Sequence, residues 1–324
     1  MAGVLGFCSS PLFRPLQRRR SPRRCFMVSA ELSESSAPSP SSAVVEGEGG
    51  SSSSSATFSS SPPLSFSPAA GFKSPQPKPF SVRSDKFLDI LGASLALPFR
   101  LGTGAFVQGY SASLVSKDQI PPNEYALSIA GFKLKETSRL GPRPEKPIEI
   151  YEFEREIVSI LDLDILFYPC PKNGPNFRPK VLQMGGKQQF PYMVDPNTGV
   201  SMYESDDIIK YLVTKYGDGT VPLMLSLGII TGSSYSPSRL PPMPLELWAY
   251  EPSPFCKIVR EVLVELELPH LLHSSARGSP KRQQLVDKVG HCQVPYLDDP
   301  NTGVKMFESA YIIEYLRETY ALEK

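Results

Sequence analysis

The chain has 324 residues, 40% of them hydrophobic, a formal net charge of +1 and five cysteines. That length and apolar content suit two ordinary domains, each with its own core, and exclude a membrane-type composition. An odd, scattered set of cysteines excludes a disulfide framework and a zinc site, which needs paired ligand spacing, so no metal is expected.

Residues 1–30 hold Arg14, Arg18, Arg19, Arg20, Arg23 and Arg24 and no acid, the first carboxylate being Glu31. Without an uninterrupted apolar run, this is the pattern of a transit peptide. The Ser-rich stretch that follows points to the plastid, hence the chloroplast stroma. Losing six arginines takes the formal charge from +1 to −5, which leaves no electrostatic reason for a nucleic-acid partner. Cys170, Cys256 and Cys292 remain in the mature chain.

Residues 31–85 are dominated by Ser, Pro and Gly, with Ser51 to Ser55 unbroken, and are expected to be disordered. Residues 86–146 read as an amphipathic segment followed by a polar connector. The apolar part, 86–107, holds Asp89, Pro98 and Arg100. Its uninterrupted length falls short of the roughly 20 residues that a bilayer span requires, so no transmembrane span is expected.

The second half of the chain contains a repeat. Gln189 to Tyr216 aligns without gaps to Gln293 to Tyr320, with 17 of 28 positions identical. Upstream, Pro147 to Glu154 matches Pro244 to Glu251 at an offset of 97, and Arg155-Glu156 matches Arg260-Glu261 at 105. The first copy, residues 147–217, therefore lacks counterparts of the eight residues Pro252 to Val259 that the second copy, 244–324, carries across a linker of 218–243.

In the second copy, Leu245 to Tyr250 alternates like a strand. Pro254 suits a helix start, and Val259, Val262, Leu263 and Leu266 fall at helical spacing. Leu271 to Ser274 is a second strand and Pro280 to Val289 a second helix. Val294 to Asp298 and Val304 to Phe307 flank the turn formers Asp299 to Gly303 as an antiparallel hairpin. Ser309 is placed to cap a last helix with Ile312, Ile313 and Leu316 inward. The order strand, helix, strand, helix, strand, strand, helix predicts an α/β chain of two tandem thioredoxin-fold modules.

Three motifs then carry a resemblance: Ser253-Pro254-Phe255 after the first strand, Gln293-Val294-Pro295 before the third, and Glu308-Ser309 at the last helix. Leu245 to Tyr320 resembles the N-terminal, thioredoxin-fold domain of soluble glutathione transferases. The tandem resembles plastid glutathione-transferase-like proteins in which both modules carry a Pro-Phe-Cys loop.

The resemblance implies glutathione as ligand, with Val294 before a cis-Pro295 offering backbone to the cysteinyl unit. It places Glu308 and Ser309 at the γ-glutamyl end, where a helix N-terminus also favours a carboxylate. Ser309 alone as a plain cap is the rival reading. The resemblance gives Ser253 the hydroxyl that stabilises the thiolate. Cys256 reads either as a reactive thiolate at a helix start or as a small apolar residue packed under it. Cys292 and His291 lie beside the same loop.

The first module has Glu204-Ser205 and Phe190-Pro191 but no Ser or Cys donor, and is expected to be catalytically dead and loosely packed around Arg155 to Leu161. Two functions are carried forward. One is glutathione-dependent thiol transfer or reduction through Ser253 or Cys256. The other is a non-catalytic binding or scaffold module with a protein partner or dimer.

Overall fold

The computed structural model describes residues 66–68, 71–78, 80–99, 104–152, 157–221 and 234–322. Residues 1–30, read above as a transit peptide, most of the Ser/Pro-rich stretch and the apolar run of the linker lie outside the described residues. No helix among them is long and apolar enough to cross a membrane.

The described part of residues 31–85 departs from the expectation of disorder. Phe66 and Phe72 rest on the rings of Tyr320 and Tyr315, each at 5.3 Å between centroids. Arg83 pairs with Glu314. Apolar anchors at such spacing are sparse in a Ser/Pro background, and the packing exists only once the second module offers a surface. Helix α1 (Phe87–Phe99) then buries Ile90 and Ala93 in that module's core.

The connector also differs from its reading. It forms a three-stranded antiparallel sheet of β1 (Ser111–Val115), β2 (Leu127–Ile129) and β3 (Phe132–Thr137), in the order β1-β3-β2. A two-residue loop joins β2 to β3, with φ 47° at Ala130 and 90° at Gly131, the positive pair that suits the right-handed twist of a hairpin.

The first module runs β4 (Ile148–Glu152), α2 (Ile157–Ile160), β5 (Asp164–Pro169), α3 (Phe177–Gly185), β6 (Tyr192–Asp195), β7 (Val200–Tyr203), α4 (Ser205–Tyr216). The second runs β8 (Leu245–Ala249), α5 (Pro254–Glu265), β9 (His270–Ser274), α6 (Lys281–Val289), β10 (Tyr296–Asp299), β11 (Val304–Phe307), α7 (Ser309–Tyr320). Each is a thioredoxin-fold module with one parallel pair, β4/β5 or β8/β9, and antiparallel neighbours. Helix α5 has 12 residues and α2 has 4, a difference of 8, and α2 is the counterpart of the last turn of α5.

The two modules share one sheet of eight strands, β11-β10-β8-β9-β5-β4-β6-β7, closed by antiparallel pairing of β5 with β9. A reciprocal exchange of carboxylates seals this joint. Asp162 and Glu267 occupy equivalent positions after the first helix of each module, with φ of 54° and 52°. Both are buried, at 2% and 0% exposure. Glu267 accepts from the backbone N–H of Asn176 at 3.1 Å and of Phe177 at 3.0 Å, at the start of α3 in the other module. Asp162 accepts from Ser279 and lies 3.6 Å from Lys281, at the start of α6. Each module thus supplies a negative charge to a helix N-terminus of the other, where the backbone dipoles favour it.

The repeated Asp-Pro-Asn-Thr-Gly hairpins have a packing role. Tyr211 and Tyr216 donate to Asp195 at 2.6 and 2.7 Å, and Tyr315 and Tyr320 donate to Asp299 at 2.5 and 2.6 Å. The last helix of each module is tied in this way to its hairpin, which accounts for much of the identity between the copies.

Loose packing at Arg155 to Leu161 does not hold for its described end. Arg155 and Glu156 lie outside the described residues, but Ser159 and Leu161 are 4% and 2% exposed. Arg143 donates to the carbonyls of Leu161 at 2.8 Å and Asp162 at 2.7 Å, and the Gln108 N–H donates to Ile160 at 2.8 Å. Connector residues supply the partners that a short helix leaves open.

Candidate functional site

Three elements of the second module meet at one groove of roughly 730 Å³, within the range of small-molecule pockets. Ser253, Val294, Pro295, Glu308 and Ser309 all line it.

Ser253 is the N-cap of α5, its hydroxyl oxygen accepting from the Cys256 N–H at 3.3 Å, with Pro254 next. Capping uses a lone pair of that oxygen, and its O–H, which also lowers the Cys256 thiol by hydrogen bonding, is the donor at this loop. Beneath the loop, Glu251 and Arg260 form a two-pronged ion pair, with side chains 3% and 6% exposed, that fixes the start of α5 against the end of β8. Gly104 packs over Glu251 with φ 73°, and a Cβ there would stand 2.6 Å from Glu251 Cγ.

The Val294-Pro295 bond is cis, as is Phe190-Pro191 in the first module. The bend precedes β10 and turns the Val294 backbone away from the sheet ladder. Among the described residues no hydrogen bond is made by the Val294 N–H or C=O.

Ser309 does not cap α7. Glu308 holds the N-cap position, without a side-chain capping bond, and Ser309 is the first helical residue. The cause is the backbone of Glu308, at φ 72° and ψ 104°, a conformation that costs a non-glycine residue about 1–3 kcal/mol. Its carboxylate accepts from Gln293 Nε2 at 3.0 Å and from the Lys78 N–H at 2.6 Å. The N-terminal segment therefore crosses this end of the groove. In the first module, Glu204 has φ 66° and accepts from Gln189 at 2.6 Å, so the same corner is built twice.

Of the two readings of Cys256, the geometry supports packing. Cys256 is 0% exposed, belongs to the core cluster and accepts the Tyr250 N–H on sulfur at 3.4 Å. Burial pushes its thiol up to about 11, against the lowering that hydrogen bonds and Arg260 contribute. The reactive-thiolate expectation gave the helix start too much weight: Cys256, Val259 and Leu263 share the apolar stripe of α5, and desolvation dominates. Cys292 is the thiol that borders the groove, half-buried, and burial pushes it up as well. His291 lines the groove, its Nε2 without a partner among the described residues.

Tyr250, Ser275, Arg277, Arg282 and Leu127 also line the groove and escaped the sequence reading. The two arginines belong to a basic Arg-Gly-Ser-Pro-Lys-Arg run whose composition was the available signal. Leu127 arrives from the connector sheet, which nothing in the repeat announces.

Residues 154–220 and 247–324 match the family model of the glutathione S-transferase N-terminal domain. No curated protein and no solved structure matches the chain. Each module thus combines the thioredoxin-fold topology with a match to that domain model.

Proposed function

We propose, from two domains of the glutathione transferase N-terminal type, that the second module binds glutathione and uses it in thiol transfer or reduction in the plastid. The observation that carries this reading is the convergence of the Ser253 hydroxyl, the unladdered Val294 backbone and the Glu308-Ser309 helix start on one groove. The tripeptide's cysteinyl backbone would pair with Val294 and its γ-glutamyl end would lie at Glu308 and Ser309. Glu308 is held in strained backbone at that place, as functional positions often are. The thiol proton leaves to water, and the Ser253 O–H donates to the sulfur anion beside the positive end of α5.

Titration calorimetry of glutathione into the full chain tests this. One binding event is expected, weakened about tenfold in Ser309→Ala by loss of one charge-assisted contact. No heat in the wild type, with the fold intact, removes the proposal. Plastid residence rests on the arginine-rich, acid-free start, and uptake by isolated chloroplasts is its test.

The burial of Cys256 and the occupation of Glu308 by the Lys78 N–H favour a second reading, a module that binds glutathione or a protein partner without turnover. The first module, with neither a Ser nor a Cys at a full helix start, is inferred to be catalytically silent. Background-level turnover by a chain that binds glutathione would select this second reading.

A further inference from the structure

The N-terminal segment crosses one end of the second module's groove as an extended strap. Its Ser74-Pro75-Gln76-Pro77-Lys78-Pro79 run alternates proline with other residues, which favours extended backbone and leaves every second position without an N–H. Anchors hold it on both sides. Phe72 rests on Tyr315, the Ser74 hydroxyl donates to the Lys305 carbonyl at 2.8 Å, and Arg83 donates to Glu314 at 2.9 Å while standing 4.9 Å over the Tyr311 ring. Between the anchors, the Lys78 N–H donates to Glu308 Oε1 at 2.6 Å, and Gln293 Nε2 donates to the same oxygen at 3.0 Å. Glu308 Oε2 has no hydrogen bond among the described residues. Lys78 and Ser81 join Glu308 and Ser309 in lining both the groove and a smaller cavity of roughly 350 Å³ that shares this wall.

The first module has no such strap, and its sequence does not provide for one. The counterparts of Lys305, Tyr311 and Glu314 are Ser201, Asp207 and Lys210, so the residues that dock the strap differ within a repeat that is otherwise well kept. A lysine in place of Glu314 would repel an arginine at the position of Arg83. Glu204 accepts from Gln189 at 2.6 Å, and among the described residues its carboxylate has no second donor. Its backbone nevertheless takes the same positive φ as Glu308, 66° against 72°. The corner therefore forms without a strap, and what the strap adds falls on the carboxylate.

We infer that Lys78 is a positioning residue for ligand binding by the second module. Its backbone N–H and the Gln293 amide together hold Oε1, which fixes the Glu308 carboxylate in one orientation before any ligand arrives. Oε2 is left to accept from the γ-glutamyl ammonium of the tripeptide. A carboxylate already held loses less freedom when the ammonium pairs with it, so the strap raises affinity without touching the ligand through its own backbone. The inference rests on the glutathione reading and extends it to a segment outside both modules.

Titration calorimetry of the full chain tests this with two ligands, glutathione and glutaryl-cysteinylglycine, the analogue that lacks the α-amino group. Lys78→Pro suits a position already flanked by prolines and deletes the N–H. It is expected to weaken glutathione about tenfold and to leave the analogue's affinity and the melting temperature unchanged. Lys78→Ala keeps the N–H and should bind both ligands as the wild type does. Arg83→Glu, repelled by Glu314, should release the strap and repeat the loss for glutathione. Unchanged glutathione affinity in Lys78→Pro would overturn the inference while sparing the glutathione reading. So would tighter binding, which would make the strap a competitor, and an equal loss for the analogue, which a merely structural role predicts. A loss in Lys78→Ala as large as in Lys78→Pro would assign the effect to the side chain and overturn it too. A wild type that takes up no glutathione would sink the glutathione reading and this inference with it.

Discussion

The two modules have the same order of elements, the same strand registers and the same Tyr–Asp lock, yet one has a full first helix beneath a groove and the other has a single turn. The comparison teaches that this fold's architecture and its site are separable. The sheet, the hairpin and the last helix persist in the first module because their cores persist. What α2 loses at its start is the part that carries the donor loop in α5. The largest effect should fall there. Arg260→Met removes the guanidinium that holds the buried Glu251 carboxylate in a two-pronged ion pair and is expected to cost about 3–5 kcal/mol in urea unfolding, whereas replacing both partners by apolar residues costs much less. Equal costs for the single and double variants would mean that the pair does not organise the second module's loop.

Next in size is the joint, where the modules depend on each other. Glu267→Ala strips the start of α3 of its acceptor, and Asp162→Ala takes from the start of α6 the carboxylate that holds the Ser279 hydroxyl and faces the Lys281 ammonium. Each is expected to cost about 3 kcal/mol, read as one shared transition in thermal unfolding. Two separate transitions in the wild type would show instead that the modules unfold alone. The joint is also sensitive to acid from one side. Burial lowers the His270 imidazole to about 4, while in the unfolded chain it titrates near 6.5. The folded value is the depressed one, so the unfolded chain binds the proton first. About 3 kcal/mol of stability is lost as pH falls from about 6.5 to about 4. The counterpart of His270 in the first module is Ile165, so changing His270 to a residue that does not titrate should flatten this window in stability measurements.

The Tyr–Asp locks should respond alike, because both are complete. Tyr216→Phe and Tyr320→Phe are each expected to cost about 1–2 kcal/mol, and a large inequality would show that one module leans less on its lock. Burial raises the Asp195 carboxyl, but hydrogen bonds from Tyr211, Tyr216 and Asn197 outweigh it and hold the group at about 2. A depressed carboxyl stabilises above its unfolded value, so about 2 kcal/mol disappears between about pH 4 and pH 2, and Tyr216→Phe should shrink that loss.

Much of this was legible before any coordinates. The repeat, the element order, the start of α5 and the Gln293-Val294-Pro295 and Glu308-Ser309 corners follow from local spacing and turn chemistry, which short stretches of chain determine. The β5–β9 pairing does not, because strands from different modules carry no mutual signal along the chain, and Asp162 and Glu267 read as ordinary residues after a helix. The connector sheet was hidden by strands of three to six residues, although Leu127, Ile129, Phe132 and Leu134 alternate around Ala130-Gly131. The burial of Cys256 was readable from its place on the same stripe as Val259 and Leu263. A motif took precedence there over the helical period.

The smallest effect on stability is the one that bears most on function. Ser253→Ala removes the α5 cap, worth about 1 kcal/mol, and with it the only side-chain hydroxyl at the start of that helix. If Ser253 is a cap and nothing more, Ser253→Asn restores the stability and glutathione binds as before. If its O–H also faces the sulfur, Ser253→Asn restores the cap while the bound thiol's pKa, followed by thiolate absorbance, stays raised relative to wild type. The first module offers the control, since no residue stands at that position there and no thiolate signal should come from it.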